Sequence, residues 1–283
     1  MRLTFRKIAW LLLALLPQVV SAQDKLFNIS LGGGLEVLNY TPEIGKPKPG
    51  GGVMFEWQFQ HFIAKNFGYG VGLGLSYFTA NYYINETIEQ EITDETDAGI
   101  PYTLRTIFDD FNEKQRTFQL EIPIGLYARF DIGNRSQFIF GAGPKIAFPF
   151  ISKYDYTRGT VETRAYFGGD IEAELSRIPH HGLNKQEASG DDDIDKNSPS
   201  LSIYADMMWT FFLNNSCYLH MGGYFSYGIS DMVSNHDAFM GIDKKSILNS
   251  TLTEKVIPLC IGMKVGVTLP LEKGSNRSIF DGY

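Results

Sequence analysis

Five ionisable residues, Glu56, Glu121, Lys145, Asp206 and Lys264, stand in segments whose every second residue is apolar. Each falls in the polar phase of its own segment, and counting from the nearest tight turn brings all five to a similar height. If those segments are neighbours in a closed sheet, the five side chains share one interior, with Lys145 between Glu121 and Asp206. Two chemistries fit such a set: an ion-selective or gated path, or a fixed internal salt-bridge network. A carboxylate buried without a partner costs several kcal/mol or takes up a proton. Paired charges in a narrow interior therefore favour the fixed network.

Other candidates are weaker. His220 with Ser226 or Ser202 is the one inward pairing of a nucleophile with a base, and it falls low in the sheet, away from an outer lipid leaflet. Catalysis is therefore not expected. Asp191, Asp192, Asp193 and Asp195 with Asn197 offer alternating oxygen ligands for Ca²⁺. They lack the sixth-position glycine and distal glutamate of an EF-hand loop, and read as a solvated acidic loop; calcium binding there stays open. His180 and His181, adjacent and without further ligands, make no metal site. Cys217 and Cys260 have no metal-ligand spacing. They are expected as free thiols on the lipid-facing phase, at heights too different for a disulfide. No cofactor is implied.

The elements that position these groups are eight segments, 27–39, 53–62, 67–83, 117–130, 137–151, 200–213, 217–229 and 255–271. A period of two is the signature of a β-strand, because successive side chains point to opposite faces. In 117–130, Phe118, Leu120, Ile122, Ile124, Leu126, Ala128 and Phe130 share one phase. Gln119, Glu121, Gly125, Tyr127 and Arg129 share the other. Short turns near 64–66, 131–135 and 214–216 alternate with long connections at about 40–52, 84–115, 152–198 and 231–253. This is the plan of an all-β fold, an eight-stranded antiparallel up-and-down transmembrane β-barrel.

A soluble barrel would turn the apolar phase inward and leave a charged phase in water. Here the polar phase is rich in glycine and small polar groups, which suits a crowded, wet lumen. Tyr127, Tyr204, Tyr224 and Met208 are the expected filling, set against glycines of the facing strands. Aromatics bracket the apolar phase as interfacial girdles do: Phe130, Phe138, Trp209 and Phe211 low, Tyr77, Phe148, Phe150 and Tyr227 high.

The first 22 residues have the form of a secretory signal peptide. Arg2, Arg6 and Lys7 precede an apolar run over 8–16, and Val20-Ser21-Ala22 forms a small-residue cleavage site. That run falls short of the roughly 20 residues a spanning helix needs. The expected division is therefore 1–22 signal and 23–283 barrel. Without the leader the balance is 22 Lys+Arg against 32 Asp+Glu, which argues against nucleic acid as a partner.

With its leader, eight strands and the Leu120-Glu121-Ile122-Pro123 step, the chain resembles the PorT-like, OmpA-type outer-membrane β-barrel family. The resemblance covers essentially all of 23–283 and implies residence in the outer membrane. For some members it implies service in protein secretion; it carries over no catalytic residue. The tail after the last strand, 272–283, departs from barrels that end on a strand-terminal aromatic. The expected role is non-catalytic: a structural or interaction protein with acidic surface loops, its partners being outer-membrane lipid and a protein at the surface loops or periplasmic face. A narrow or gated small-solute channel is the first alternative, and a secretion-system component, by resemblance, the second.

Overall fold

The computed structural model describes residues 24–41, 45–92, 101–168, 172–187, 190–194, 198–214, 216–238, 245–251, 253 and 255–271. The leader over 1–22, the tail over 272–283, Asp195 and Asn197 lie outside the described residues.

Thirteen strands are described: β1 (Asp24–Thr41), β2 (Lys46–Lys48), β3 (Gly50–Phe62), β4 (Phe67–Ile84), β5 (Thr87–Ile92), β6 (Tyr102–Ile132), β7 (Ser136–Phe167), β8 (Ala173–Leu175), β9 (Lys185–Glu187), β10 (Gly190–Asp193), β11 (Ser200–Asn214), β12 (Cys217–Gly228) and β13 (Lys255–Pro270). Eight of them close into an antiparallel ring, β1–β3–β4–β6–β7–β11–β12–β13, with β13 paired back to β1. The fold is an eight-stranded up-and-down barrel.

The alternation reads out in side-chain exposure. Ile261 is 58% and Met263 74% exposed, while Lys264 beside them is 3% exposed. Apolar side chains thus point away from the barrel and the polar phase points in, the reverse of a soluble barrel. On β6 the outward apolar run extends from Phe118 to Phe130 and then gives way above to Arg116, Lys114 and Asn112. Thirteen residues at roughly 3.3 Å each, tilted near 45°, span about 30 Å, the thickness of a hydrocarbon core. Trp209 stacks on Phe211 in the lower girdle, and Tyr77, Phe118 and Phe150 touch in the upper one.

Two of the upper connections are largely strand-built rather than loop. Segment 84–115 holds β5 and the upper half of β6, and 152–198 holds the upper half of β7 with β8, β9 and β10. Periodicity does not reveal this, because Glu113-Lys114-Gln115-Arg116 is polar on both faces. Higher still, a bulge at 109–112 breaks the register between β6 and β7. There Asp110 takes a left-handed φ of 50° opposite Gly159 at φ 105°. A side chain at Gly159 would collide with the backbone of Asp110 and Phe111.

The cysteines need one correction. Both are free, but only Cys217 lies in the outward phase of its strand. Cys260 shares the inward phase of Gly262 and Lys264, is opposite Glu36 in register, and lines the lumen. Its partner across β12 is Ser226, nine residues above Cys217. At roughly 3.3 Å per residue that separation is far beyond the roughly 7 Å Cα limit for a bridge.

Candidate functional site

Two lysines organise the charged layer of the lumen. Lys264 is opposite a glycine on each side, Gly32 and Gly222, so its stem has room to reach across. Its ammonium lies 2.9 Å from Asp206 Oδ2, two strands away in one direction, and 3.2 Å from Glu56 Oε1, two strands away in the other. Lys145 reaches Glu121 on the adjacent strand at 3.1 Å. Glu121 also accepts hydrogen bonds from Ser76 Oγ at 3.0 Å and Gln119 Nε2 at 2.7 Å.

The five charged residues therefore form two separate clusters, and Lys145 does not bridge Glu121 to Asp206. Register explains the difference. Lys145 is opposite Ser202, whereas Asp206 is opposite Gly141, four residues lower, roughly 13 Å along the strand. Counting from the turns ignores the stagger that tilted strands impose on a closed barrel. One member was missed. Glu36, the one ionisable residue in the inward phase of β1 between 28 and 38, shares a hydrogen bond with the Cys260 thiol beside Lys145. Glu36, Ser76, Glu121, Lys145 and Cys260 line a cavity of about 30 Å³, room for one or two waters.

Beside the Lys264 cluster, aromatic rings fill the bore. The Tyr127 and Tyr204 hydroxyls are 2.7 Å apart, and Gln58 Nε2 donates to Tyr127 at 2.5 Å. Tyr127 packs on Gly141, Tyr204 on Gly125, and Tyr224 on Gly262 and Gly32. A β-carbon at Gly141 or Gly262 would occupy ring space, so those two positions admit no side chain without displacing a tyrosine. His220 pairs with neither Ser226 nor Ser202. Six residues along the strand separate it from the row of Ser226 and Tyr204. Instead its ring nitrogens contact Ser30 Oγ and Thr268 Oγ1, each at 2.9 Å, and Thr268 donates to Asn28 at 2.6 Å. Among the described residues no carboxylate orients this imidazole, and its contacts with Ser30 and Thr268 make it a hydrogen-bonded strut between strands.

The lower end is closed by Leu26, Phe62, Tyr127, Ile139 and Met208, with Tyr218 against them. Arg129 lies over the Phe62 ring at 4.2 Å, pairs with Asp24 at 2.8 Å and donates to the Lys65 carbonyl at 3.0 Å.

The upper end holds a second, inverted core. Above the apolar belt the interior becomes hydrophobic: Leu38, Phe78, Tyr82, Phe108, Phe111 and Tyr154 pack on Met232, Val233, Ile247, Leu248 and Val256. Part of the connection between β12 and β13 is thus folded inward as a cap. Glu113, fully buried, fastens it. Its carboxylate accepts from Ser246 Oγ at 2.5 Å, the Ile247 amide at 2.9 Å and Gln115 at 2.8 Å. Burial pushes the Glu113 carboxyl up to about 6 against these donors, which lower it.

The surface candidates stay apart. Asp191, Asp192 and Asp193 lie exposed on β10, where Asp193 is 3.6 Å from Lys153. His180 and His181 are exposed in the 3₁₀ turn Pro179–His181. Among the described residues no group of three or more His, Cys, Asp or Glu converges as a metal site.

Residues 21–234 match a family model described as an outer membrane protein beta-barrel domain. No curated protein sequence matches. Among solved structures the chain is similar to the outer membrane protein OprG from Pseudomonas aeruginosa, at 9% identity over 89% of this chain and 97% of that one, with a TM-score of 0.36. It is similar to Neisserial surface protein A, NspA, at 8% identity over 86% and 96%, TM-score 0.35. A third is Ail, the attachment invasion locus protein of Yersinia pestis, at 9% identity over 88% and 100%, TM-score 0.32.

Proposed function

Since the chain belongs to the family of outer membrane protein beta-barrel domains, we propose that it is a closed, non-catalytic outer-membrane protein that presents its strand-built upper connections as an interaction surface. In this reading residues 1–22 are removed on export, the tight turns face the periplasm, and the hairpin of β6 and β7 stands outside the cell. The finer PorT-like, OmpA-type assignment belongs to the same reading.

The observation that carries it is the obstruction of the lumen at successive levels. Arg129 and Phe62 close the bottom, the Tyr127–Tyr204 pair with the Lys264 and Lys145 clusters fills the middle, and the Glu113-fastened cap seals the top. A conduit needs a continuous wet path, so this layering supports an interaction role over a channel. The distance of His220 from Ser226 and Ser202 supports a non-catalytic one.

The test is fractionation followed by electrophysiology. The protein is expected in the outer membrane, with heat-modifiable migration on gels and little steady conductance in planar bilayers. Release as a soluble periplasmic protein overturns the barrel's residence; large, ion-selective conductance overturns the closed reading.

A further inference from the structure

The described surface holds a charged feature that neither the lumen nor the cap uses. Lys46 and Lys48 on β2, Lys114 and Arg116 on β6, and Lys153 on β7 all point outward. Register sets them side by side. Lys48 is opposite Asn81, which is opposite Lys114; Arg116 is opposite Lys153 in the next row down. The row below that is the aromatic girdle of Tyr77 and Phe118. With strands spaced at 4.7–4.9 Å, the five cations lie within a band roughly 14 Å across, directly above the apolar belt.

The placement is selective in a chain with more acidic than basic residues. Toward the upper ends of β11 and β12 the outward residues include Leu201, Tyr227 and Ile229, and the nearby Lys255 donates to the Ile229 carbonyl at 2.7 Å. Within the band, Arg116 contacts Asp155 at 2.6 Å and Lys153 contacts Asp193 at 3.6 Å, both through exposed side chains. Exposed pairs of this kind contribute little and exchange readily. Among the described residues no carboxylate lies within ion-pair distance of Lys46, Lys48 or Lys114; Asp155, opposite Lys114 in register, turns to Arg116 instead. Lys48 is held over the Tyr83 ring at 4.5 Å, which orients it along the wall.

We infer that Lys46, Lys48, Lys114, Arg116 and Lys153 form a binding face for the phosphate-bearing headgroups of outer-leaflet lipid. The position decides between occupants. A soluble anionic macromolecule would have to enter the headgroup layer to reach cations that begin one outward row above the girdle and end, at Lys46, three rows above it. A lipid whose acyl chains lie on the apolar belt brings its phosphate to that height without displacement. Clustered Lys and Arg at a membrane surface attract anionic headgroups additively. The inference rests on outer-membrane residence as proposed above, and gives that residence a side of the barrel and a headgroup chemistry.

The full-length protein, folded in detergent micelles, would be titrated with a bis-phosphorylated lipid A-type glycolipid and with its dephosphorylated form, and retention read by native mass spectrometry. Heat-modifiable migration, recorded on each sample, reports the barrel separately. The phosphorylated lipid is expected to be retained at least about tenfold more strongly. The K46Q/K48Q/K114Q variant should lose most of that preference, while K65Q, at the periplasmic turn, keeps it. Should the triple variant fail to fold, the exposed single variant K48Q is expected to weaken retention by about fivefold. Equal retention of both lipids by a folded barrel, unchanged retention in the variants, or displacement by millimolar inorganic phosphate would overturn the headgroup face and leave the barrel reading intact. Loss of heat-modifiability in the unmodified protein would instead strike the reading it rests on.

Discussion

Lys264 and Lys145 both sit in the lumen, but they do different amounts of electrostatic work. Lys264 is fully buried between Asp206 and Glu56, whereas Lys145 faces Glu121, which keeps Ser76 and Gln119 as donors. Lys264→Ala leaves two buried carboxylates facing each other, and removing one partner from such a set costs about 3–5 kcal/mol. Lys145→Ala should cost clearly less, as read by urea unfolding in lipid vesicles; equal losses would contradict the two-cluster geometry. Glu113 gives a pH dependence with a defined sign. Its carboxyl is raised from 4.5 to about 6 by burial in the cap, so the folded cap binds the proton more tightly than the open chain does. Its stabilising contribution is fully present below 4.5 and is lost as pH rises through about 6, a change of about 2 kcal/mol. Hydrogen exchange at the Ile247 and Leu248 amides should therefore quicken between pH 5 and 7 beyond its intrinsic trend. Glu113→Gln should flatten that excess, and an unchanged profile in the variant would remove Glu113 as its source.

At the scale of the strand, the outward and inward phases obey different solvents. Ile261 projects from the middle of β13 with more than half its surface uncovered by protein. Ile261→Arg should cost roughly 2–4 kcal/mol in a bilayer, while the same substitution at exposed Asp109, above the belt on β6, should cost almost nothing. Refolding yields into vesicles would separate the two, and similar yields would mean the belt has been placed at the wrong height. The hairpin of β6 and β7 changes character along its length: below Phe118 it is a membrane wall with a polar interior, above Arg116 a water-facing sheet over an apolar core. The same two strands thus carry two hydrophobic patterns of opposite sense.

For the whole barrel, closure by stacked levels means that opening one level does not make a pore. Deleting residues 245–251 removes the Glu113-fastened segment yet leaves the Tyr127–Tyr204 pair and the Lys264 cluster across the bore. Conductance in planar bilayers should stay near that of the intact protein. Adding Tyr127→Ala and Tyr204→Ala to the deletion, with heat-modifiable migration retained, should raise it. Full conductance from the cap deletion alone would show that the central layer is not a barrier.

The eight crossing strands were legible in the sequence because a wall between lipid and a wet lumen forces strict apolar–polar alternation, as Phe118 to Phe130 displays. So were the inward position of all five charged residues and the packing of tyrosines on glycines, since both follow from phase alone. Phase read correctly also turns Cys260 inward, with Gly262 and Lys264, against the lipid-facing placement expected for it. The Lys145–Glu121 contact between adjacent strands was legible, but the partner of Asp206 was not: pairing depends on the stagger between strands, and that brought Lys264 to Asp206 while leaving Lys145 four residues away. The strands above the membrane were hidden for a chemical reason. Where water lies outside and Glu113 and Gln115 lie inside, both phases are polar and the period of two vanishes. The cap lay beyond any local pattern, because Glu113 meets Ser246 and Ile247 across more than 130 residues of chain, and only the closed barrel brings them together.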